Sequence, residues 1–517
     1  MRITNKIMQR NNLANINTNK VYQDTLSTQM STQKKVNRPS DDPVVAIRAL
    51  RLRSNVTEVT QYYSKNIPDA ESWLSVTEDA LKNLTQIVTS MISQCTKGSN
   101  GDLTTADRQI ILEQLKALGD EVYSTGDADY AGRYVFTGYR TDTSLSFAEE
   151  INQKYTITEQ LDSSAIDTMT KVNTDKLLDW NTNNYNGTDM ADLDESDMTA
   201  VEVSRIRLAY DDCYAPAGAE AMPTISFQQK QVAPNGNVSY ASVEWTATMM
   251  HSYEDPYTAA SKDANAVIYV PETGELLLGS ARAEALAAVK DDVATNADES
   301  EIRVTYQKEH WVKGDLRPEH YFACESEGVT YNDAYLVGDT GRQEIEYDVG
   351  FNQTIRVNST ADECFQHGIG REVDDLVDAM QNVLDIEAVV TKIKKQMETA
   401  TGTDADTLQK QLEAAEKAYS LSKDKCQKMF EQSISTFQGH LDAANLCITN
   451  CGTRGSKLEL IKNRMQNQKT TFETLKSENE DVDITEVAIQ LSSAELTYEA
   501  ALMATGKVMQ TTLLNFI

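Results

Sequence analysis

The chain is poor in the residues that punctuate structure, with 9 Pro and 23 Gly in 517 residues. Helices therefore meet few forced stops, and long ones are expected. Long apolar runs are missing too. Apolar runs, such as Leu276-Leu277-Leu278, span only a few residues, far short of the ~20 that cross a bilayer as a helix. The opening residues, Met1-Arg2-Ile3-Thr4-Asn5-Lys6, provide no apolar stretch and no small-residue cleavage site, so no Sec signal peptide is expected. Histidine is scarce at 5 residues, and none joins a tight group with Cys or carboxylates, which disfavours a zinc enzyme. Positive charge is short: 48 Lys and Arg against 79 Asp and Glu leave a net charge of −31. That balance argues against a general nucleic-acid binder or a binder of anionic membranes. The seven cysteines (Cys95, Cys213, Cys324, Cys364, Cys426, Cys447, Cys451) are odd in number and scattered, which is not a disulfide framework. Cys447 and Cys451 fall on one helical face and read as small apolar packers.

At 40% apolar and 25% charged residues, the chain can bury real cores, and its length suits two to four domains. The first 53 residues differ from the rest, carrying ten basic residues against three acidic ones. Residues 1–35 are rich in Asn, Thr, Gln and Ser, with isolated apolar positions at Ile3, Ile7, Leu13, Ile16, Val21, Leu26 and Met30. A helix with so thin a stripe cannot hold itself in water and needs a partner surface. Residues 1–40 are thus expected to be disordered in the monomer and to order on assembly.

Arg38-Pro39-Ser40-Asp41-Asp42-Pro43 then opens a long helical pattern. Pro43 suits the first helical position and Asp42 the N-cap. Capping explains the Asp41–Asp42 pair more simply than a catalytic dyad. A 3–4 repeat runs through Leu52, Val56, Val59, Tyr63, Asn66, Ala70, Trp73, Thr77, Ala80, Leu84, Ile87 and Met91, ten of the twelve apolar, a coiled-coil seam. Its register passes Pro68 unbroken, which predicts a kink rather than a stop. Thr104 to Asp107 resembles a capping box, and Ile111, Leu115, Leu118 and Val122 form the next stripe, expected to fold back as a helical hairpin.

After Gly132 the period falls to two. Arg133 to Tyr139 reads as a strand. Thr224–Val232 and Val238–Thr246 flank the turn signal Pro234-Asn235-Gly236, and Val267–Val270 and Leu276–Leu278 flank Pro271 to Gly274. From Leu177 to Ser204 there are seven acids and no base. The run from Asp192 fails the EF-hand template, having Asp197 where Gly is needed and Val203 where Glu is needed. It reads as a solvated acidic loop. From Gly370 the helical period returns. It breaks at Gly402-Thr403-Asp404, resumes over Leu408–Phe437 and Leu458–Leu475, and ends with Val487, Leu491, Ala494, Tyr498, Ala501 and Val508 in threes and fours. Leu502, Met509 and Phe516 lie beside that stripe at sevens.

Matching seams at both ends predict an α+β protein: a long antiparallel coiled-coil bundle of N- and C-terminal helices carrying an inserted β-rich peripheral domain. The expected parts are an assembly segment (1–40), N-terminal bundle helices (41–147), the β-rich insertion (148–365), C-terminal bundle helices (366–475) and a terminal assembly helix (476–517). The expected assembly contacts are Ile3, Ile7, Val487, Leu491, Tyr498, Leu502, Val508, Met509 and Phe516. No catalytic, cofactor-binding or metal-binding constellation is visible.

Four blocks resemble the flagellin superfamily. The first is Met30-Ser31-Thr32-Gln33-Lys34-Lys35-Val36 with Arg38-Pro39-Ser40-Asp41-Asp42-Pro43. The second is Gly132-Arg133-Tyr134-Val135-Phe136-Thr137-Gly138-Tyr139-Arg140-Thr141. The third runs from Tyr335 to Phe365 and includes Gly338-Asp339, Gly341-Arg342, Gly350 and Val357-Asn358. The fourth spans Asp481–Glu486 and Tyr498–Thr505 and closes on Leu513-Leu514-Asn515-Phe516-Ile517. They cover roughly 1–147 and 331–517. Gln33 stands where the family usually has Gly, and residues 148–330 match nothing recognisable, while 387–430 looks long by one helical pair. The resemblance implies Pro39, Ser40, Asp41, Asp42, Pro43, Gly132, Arg133, Tyr134, Phe136 and Gly138 as structural motif residues. It also implies a secreted, extracellular flagellar component, exported unfolded by the type III route with a cytoplasmic chaperone. The implied role is a structural adaptor in the junction branch of the family, joining the first hook-associated protein to flagellin and self-associating in a ring. The alternative within the family is the flagellin filament subunit. The proline-flanked Ser40-Asp41-Asp42 and the Gly132–Tyr139 block favour the junction branch. A secreted enzyme with a catalytic insertion is the reading from another class. His251, His310 and His320 are the only His between 148 and 330 and show no zinc spacing.

Overall fold

The computed structural model describes residues 5–188, 190–216, 218, 221–232, 238–289, 302–337 and 343–510. Long helices occupy both ends of the chain and strands dominate the middle, the mixed α+β architecture expected from the two periodicities. The helices are α1 (Asn5–Thr32), α2 (Pro43–Gln61), α3 (Ile67–Gly98), α4 (Thr105–Gly126), the short α5 (Asp175–Leu178), α6 (Pro256–Lys262), α7 (Ser280–Ala287) and α8 (Ala361–Cys364), then α9 (Gly368–Met397), α10 (Thr403–Glu480) and α11 (Ile484–Gln510). The strands are β1 (Asp129–Tyr130), β2 (Arg133–Tyr134), β3 (Ile151–Leu161), β4 (Ile166–Val172), β5 (Ala200–Arg207), β6 (Thr224–Val232), β7 (Val238–Thr246), β8 (Thr248–Met249), β9 (Val267–Val270), β10 (Glu275–Leu278), β11 (Ile302–Trp311), β12 (Ala323–Ser326), β13 (Val329–Tyr331), β14 (Glu346–Gly350) and β15 (Gln353–Arg356).

Local chemistry sets the helix boundaries. Asp42 accepts from the Val44 and Val45 amides at 3.0 and 3.1 Å, with Pro43 at the first helical position. Thr104 and Asp107 form a reciprocal capping box at the start of α4. Between α2 and α3 lies one π-helical turn, Tyr62–Asn66, in which the Ile67 amide reaches back to the Tyr62 carbonyl. That widened turn carries the helix into Pro68, whose missing N–H would otherwise break the ladder. The stretches 408–437 and 458–475 prove to be one helix of 78 residues. Gly439, Gly452 and Gly455 lie within it in open space, and no proline stops it.

The chain divides into two compact units. One comprises the described parts of Met1–Glu71, Tyr347–Ile355 and Ser456–Ile517; the other comprises those of Ser72–Glu346 and Arg356–Gly455. In the first, α1 and α11 pair, and the β14–β15 hairpin sits beside the helices. Asn66 donates to the Asp348 carbonyl at 2.8 Å, and the Tyr62 and Phe351 rings meet edge-on at 5.8 Å. In the second, α4 packs on α9: Gly119 admits Val373, and the Tyr123 hydroxyl donates to the His367 carbonyl and accepts from the Gly370 amide.

The second unit also holds two larger sheets. One has the order β4-β5-β10-β9-β8 and the other β13-β12-β3-β11-β6-β7. The β6–β7 and β9–β10 pairs are the two antiparallel hairpins that the turn signals predicted; Pro234, Asn235 and Gly236 themselves lie outside the described residues. β9 and β10 are buried along their whole lengths, as continuous apolar runs require. Trp311 on β11 is fully buried among Phe147, Tyr155 and Tyr210.

Two expectations need correction. Arg133–Tyr139 is not one strand: only Arg133–Tyr134 pairs, with β1, across two left-handed residues, Ala131 (φ 54°) and Gly132 (φ 75°). Beyond Tyr134 the chain coils so that Val135 and Phe136 both turn inward, which an alternating strand cannot do. The acidic stretch 177–204 is not simply a solvated loop either. Its acids are largely exposed, but Leu177, Trp180, Met190, Leu193 and Met198 are buried against Ile386, Val389, Ile393, Leu408, Ala414, Ala415 and Ala418 of α9 and α10. Gln411, fully buried, accepts from the Trp180 indole at 2.9 Å and donates to the carbonyls of Tyr185 and Met190. The charges concealed a set of apolar anchors that fold onto the long stretch 387–430.

Candidate assembly interface

α1 and α11 run antiparallel. Tyr22 meets Gln490 at 3.3 Å, while twelve residues on, Lys34 bridges to Asp481. The face of α11 turned to α1 is the stripe read from the sequence: Val487 and Ala494 are buried, and Leu491, Tyr498 and Ala501 are half-buried. The answering face of α1 is mostly polar, with Gln9, Asn12, Asn19 and Gln23 interleaved with Ile16 and the buried Leu26. So little apolar burial cannot by itself offset the entropy of ordering two long helices.

The pair is fastened at one end. Gln33 takes a left-handed φ of 58° directly after α1, the geometry a glycine would supply. Its carbonyl accepts from the Val482 amide, and the Lys35 amide donates to the Glu480 carbonyl at 2.8 Å. Arg53 grips Glu480 through two hydrogen bonds of 2.6 and 2.7 Å, and Lys34 binds Asp481. The Arg53 hydrogen bonds hold the Glu480 carboxyl below its ordinary value, and the Lys34 hydrogen bond does the same for Asp481. Asp41 accepts from the Arg38 amide and closes the turn before α2. Pro39 and Ser40 lie exposed in that turn. Asp42 thus caps α2 as the sequence suggested, and Asp41 serves the turn before it.

Sequence reasoning missed the opposite faces. Ile489, Leu496 and Met503 recur at sevens on α11 and are 67, 70 and 68% exposed. Val44, Ile47 and Leu50 form a similarly bare row on α2, and Ile7, Met8, Leu13, Val21, Tyr22 and Met30 are exposed on α1. The heptad spacing of Ile489, Leu496 and Met503 was the available signal, overshadowed by the stripe beside it. Of the expected contacts, Val487, Leu491 and Tyr498 lie along α1, whereas Ile7 and Leu502 face solvent. Ile3 and Phe516 lie outside the described residues, as do the side chains of Val508 and Met509.

The remaining motif residues lie in the other unit. The Arg133 guanidinium lies over Trp73 at 4.9 Å, and the Tyr134 amide donates to Thr141 at 2.8 Å. Phe136 packs edge-on against Phe365 at 4.7 Å, and its carbonyl accepts from the Ala361 amide. Gly138 (φ 62°) leaves room for Gln343, which accepts from the Tyr139 amide. Gln343, Ala361 and Phe365, remote in sequence, thus close around the block 132–141.

The second unit contains a cleft of about 970 Å³ lined by Tyr123, Asp127, Asp315, His367, Arg371 and Asp374. Several of its polar groups are already committed. Asp127 accepts from the Leu145 amide and the Ser146 hydroxyl, Asp315 pairs with Lys308, and burial lowers the His367 imidazole to about 4. Among the described residues, no three or more His, Cys, Asp or Glu converge as metal ligands.

Residues 3–141 match the bacterial flagellin N-terminal helical region, which bears out the resemblance seen in the first two sequence blocks. The chain is 30% identical over 169 residues to flagellar hook-associated protein 3 of Escherichia coli, covering 32% of this chain and 53% of that protein. It is 30% identical over 145 residues to flagellar hook-associated protein 3 of Salmonella typhimurium, covering 28% and 45%. The chain thus spans about half the length of the curated relatives it matches. A crystal structure of flagellar hook associated protein-3 from Legionella pneumophila aligns with a TM-score of 0.28 and 9% identity, covering 82% of this chain and 98% of that one.

Proposed function

We propose that this chain is the hook–filament junction protein of a bacterial flagellum, a structural adaptor without catalytic activity. It leaves the cell through the flagellar export channel, held beforehand by a cytoplasmic chaperone. It then assembles on the first hook-associated protein as a ring of copies and presents the surface on which flagellin polymerises. The observation that carries this reading is the α1–α11 pair. Its internal seam is too polar to sustain two helices in water, while the outer face of α11 bears an exposed apolar row at heptad spacing and α1 exposes further apolar residues. Such a pair is completed by neighbouring copies of like helices. The similarity to hook-associated protein 3 supports the junction over the filament subunit.

The test is a clean deletion of the gene. Cells should then build hooks, lose filaments and release flagellin monomers into the medium, with all three reversed by complementation. Filaments that persist in the deletion strain would reject the junction role. Hooks that persist with neither filaments nor any flagellin released into the medium would favour the filament-subunit alternative.

A further inference from the structure

Among the described cysteines, two from distant parts of the sequence meet. Cys364 ends α8 and Cys447 lies in α10; both are buried, at 1% and 7% exposure, and their thiols hydrogen-bond to each other. The Cys447 sulfur is also 3.3 Å from the carbonyl of Glu363, the residue next to Cys364. The two chain segments therefore pass directly against each other at these residues. We propose that Cys364 and Cys447 form a disulfide once the chain has folded outside the cell. The cross-link would tie the strap after β15 to the middle of α10.

The surroundings suit the chemistry. Cys447 is the more exposed of the two. The Cys364 thiol donates to it and the guanidinium groups of Arg454 and Arg356 face it, so its acidity is raised. Arg356 is fixed by Glu363, and Arg454 by the Asn358 carbonyl, so both cations are held in place. The Cys447 thiolate attacks a low-molecular-weight disulfide, forming a mixed disulfide and expelling one thiolate. The Cys364 sulfur then loses its proton and attacks the Cys447 sulfur, expelling the second thiol. One small disulfide is reduced to two thiols for each protein disulfide formed, and no other reductant or oxidant is needed. The other five cysteines are buried. Burial pushes Cys95, Cys213 and Cys426 up to about 12 and Cys451 up to about 11, which leaves them poor nucleophiles. The pairing is a property of the fold. Its timing after export rests on the proposed function, because an export channel that passes unfolded chains requires the reduced form.

The experiment uses the full-length protein purified under reducing conditions. It is exposed to oxidised glutathione at pH 8, alkylated after denaturation, and mapped as non-reduced peptides. The expected result is a single cross-linked pair, Cys364–Cys447, with the other five thiols alkylated. The oxidised protein should melt several degrees higher than the reduced one, and dithiothreitol should reverse the shift. Cys364→Ser should trap glutathione on Cys447. A Cys447–Cys451 link or seven free thiols after oxidation would each overturn the proposal. None of these outcomes depends on flagellar assembly, so the junction reading can fail while the disulfide stands.

Discussion

Leu496→Asp separates an assembly surface from a folding core. Leu496 is 70% exposed on the outer face of α11, in line with Ile489 and Met503. In the isolated protein the substitution removes almost no buried area, so the stability change should stay within about 0.5 kcal/mol. In the proposed ring, burying the exposed part of a leucine would be worth roughly 1.5–2 kcal/mol. A carboxylate left unpaired in its place adds at least ~1 kcal/mol of desolvation. The combined loss of about 3 kcal/mol corresponds to roughly a hundredfold weaker contact, repeated at every subunit interface. The assay has two readouts: melting of the purified variant, and flagellin in the culture medium of cells carrying only the variant. The expected outcome is an unchanged melting temperature, normal export and flagellin released to the medium. A variant that melts several degrees lower, or that supports full-length filaments, would refute the reasoning.

Three further outcomes follow from particular contacts. Arg53→Ala should release Glu480 and loosen the fastened end of the α1–α11 pair by about 1 kcal/mol, given solvent screening around the half-exposed Arg53. Limited proteolysis should then trim both ends faster. Because Glu480 and Asp481 are held below their ordinary values, the latch contributes fully above the usual carboxylate range and is lost as pH falls through the lowered values; trimming should speed up in acid in the wild type. Glu159 behaves in the opposite sense. Burial raises it to about 7, so its contribution is complete below its unfolded value of ~4.5 and is lost as pH rises through 7. Glu159→Gln should remove up to about 3 kcal/mol of alkaline destabilisation, visible as a flatter profile of melting temperature against pH between 5 and 8. Finally, removing 148–330 alone should yield an aggregation-prone protein, because Ile386, Val389, Ile393 and Leu408 lose the anchors Leu177, Trp180 and Leu193. A second deletion that also shortens the α9–α10 hairpin should restore solubility, as size-exclusion chromatography would show.

Much of this arrangement was legible because local signals and tertiary packing agreed. Asp42 and Thr104 were readable as caps, the Pro68 region as a continuous but perturbed helix, and β6–β7 and β9–β10 as hairpins, since each depends on residues within one turn or one pair of strands. The unreadable parts depend on distant partners. Val135 and Phe136 could alternate on a strand in isolation, but Phe365 and Ala361 draw them into a coil. The anchors Trp180 and Leu193 were concealed by their acidic neighbours, because a charge count cannot see that Gln411 waits on α10 to receive the indole. At the interface, the α11 stripe at Val487 and Leu491 was identified while its opposite face was not. A helix apolar on two sides gives one strong period, and only the position of α1 distinguishes the inner side from the outer. The meeting of Cys364 and Cys447 had no sequence signature at all, since their spacing matches no framework.

The proposed junction role requires the protein to lie between hook and filament. An antibody raised against the β-rich unit, used for gold labelling of intact flagella, tests this directly. Label confined to a narrow band between hook and filament is the predicted result. Label distributed along the filament, or absent from flagella that nonetheless carry filaments, would contradict it.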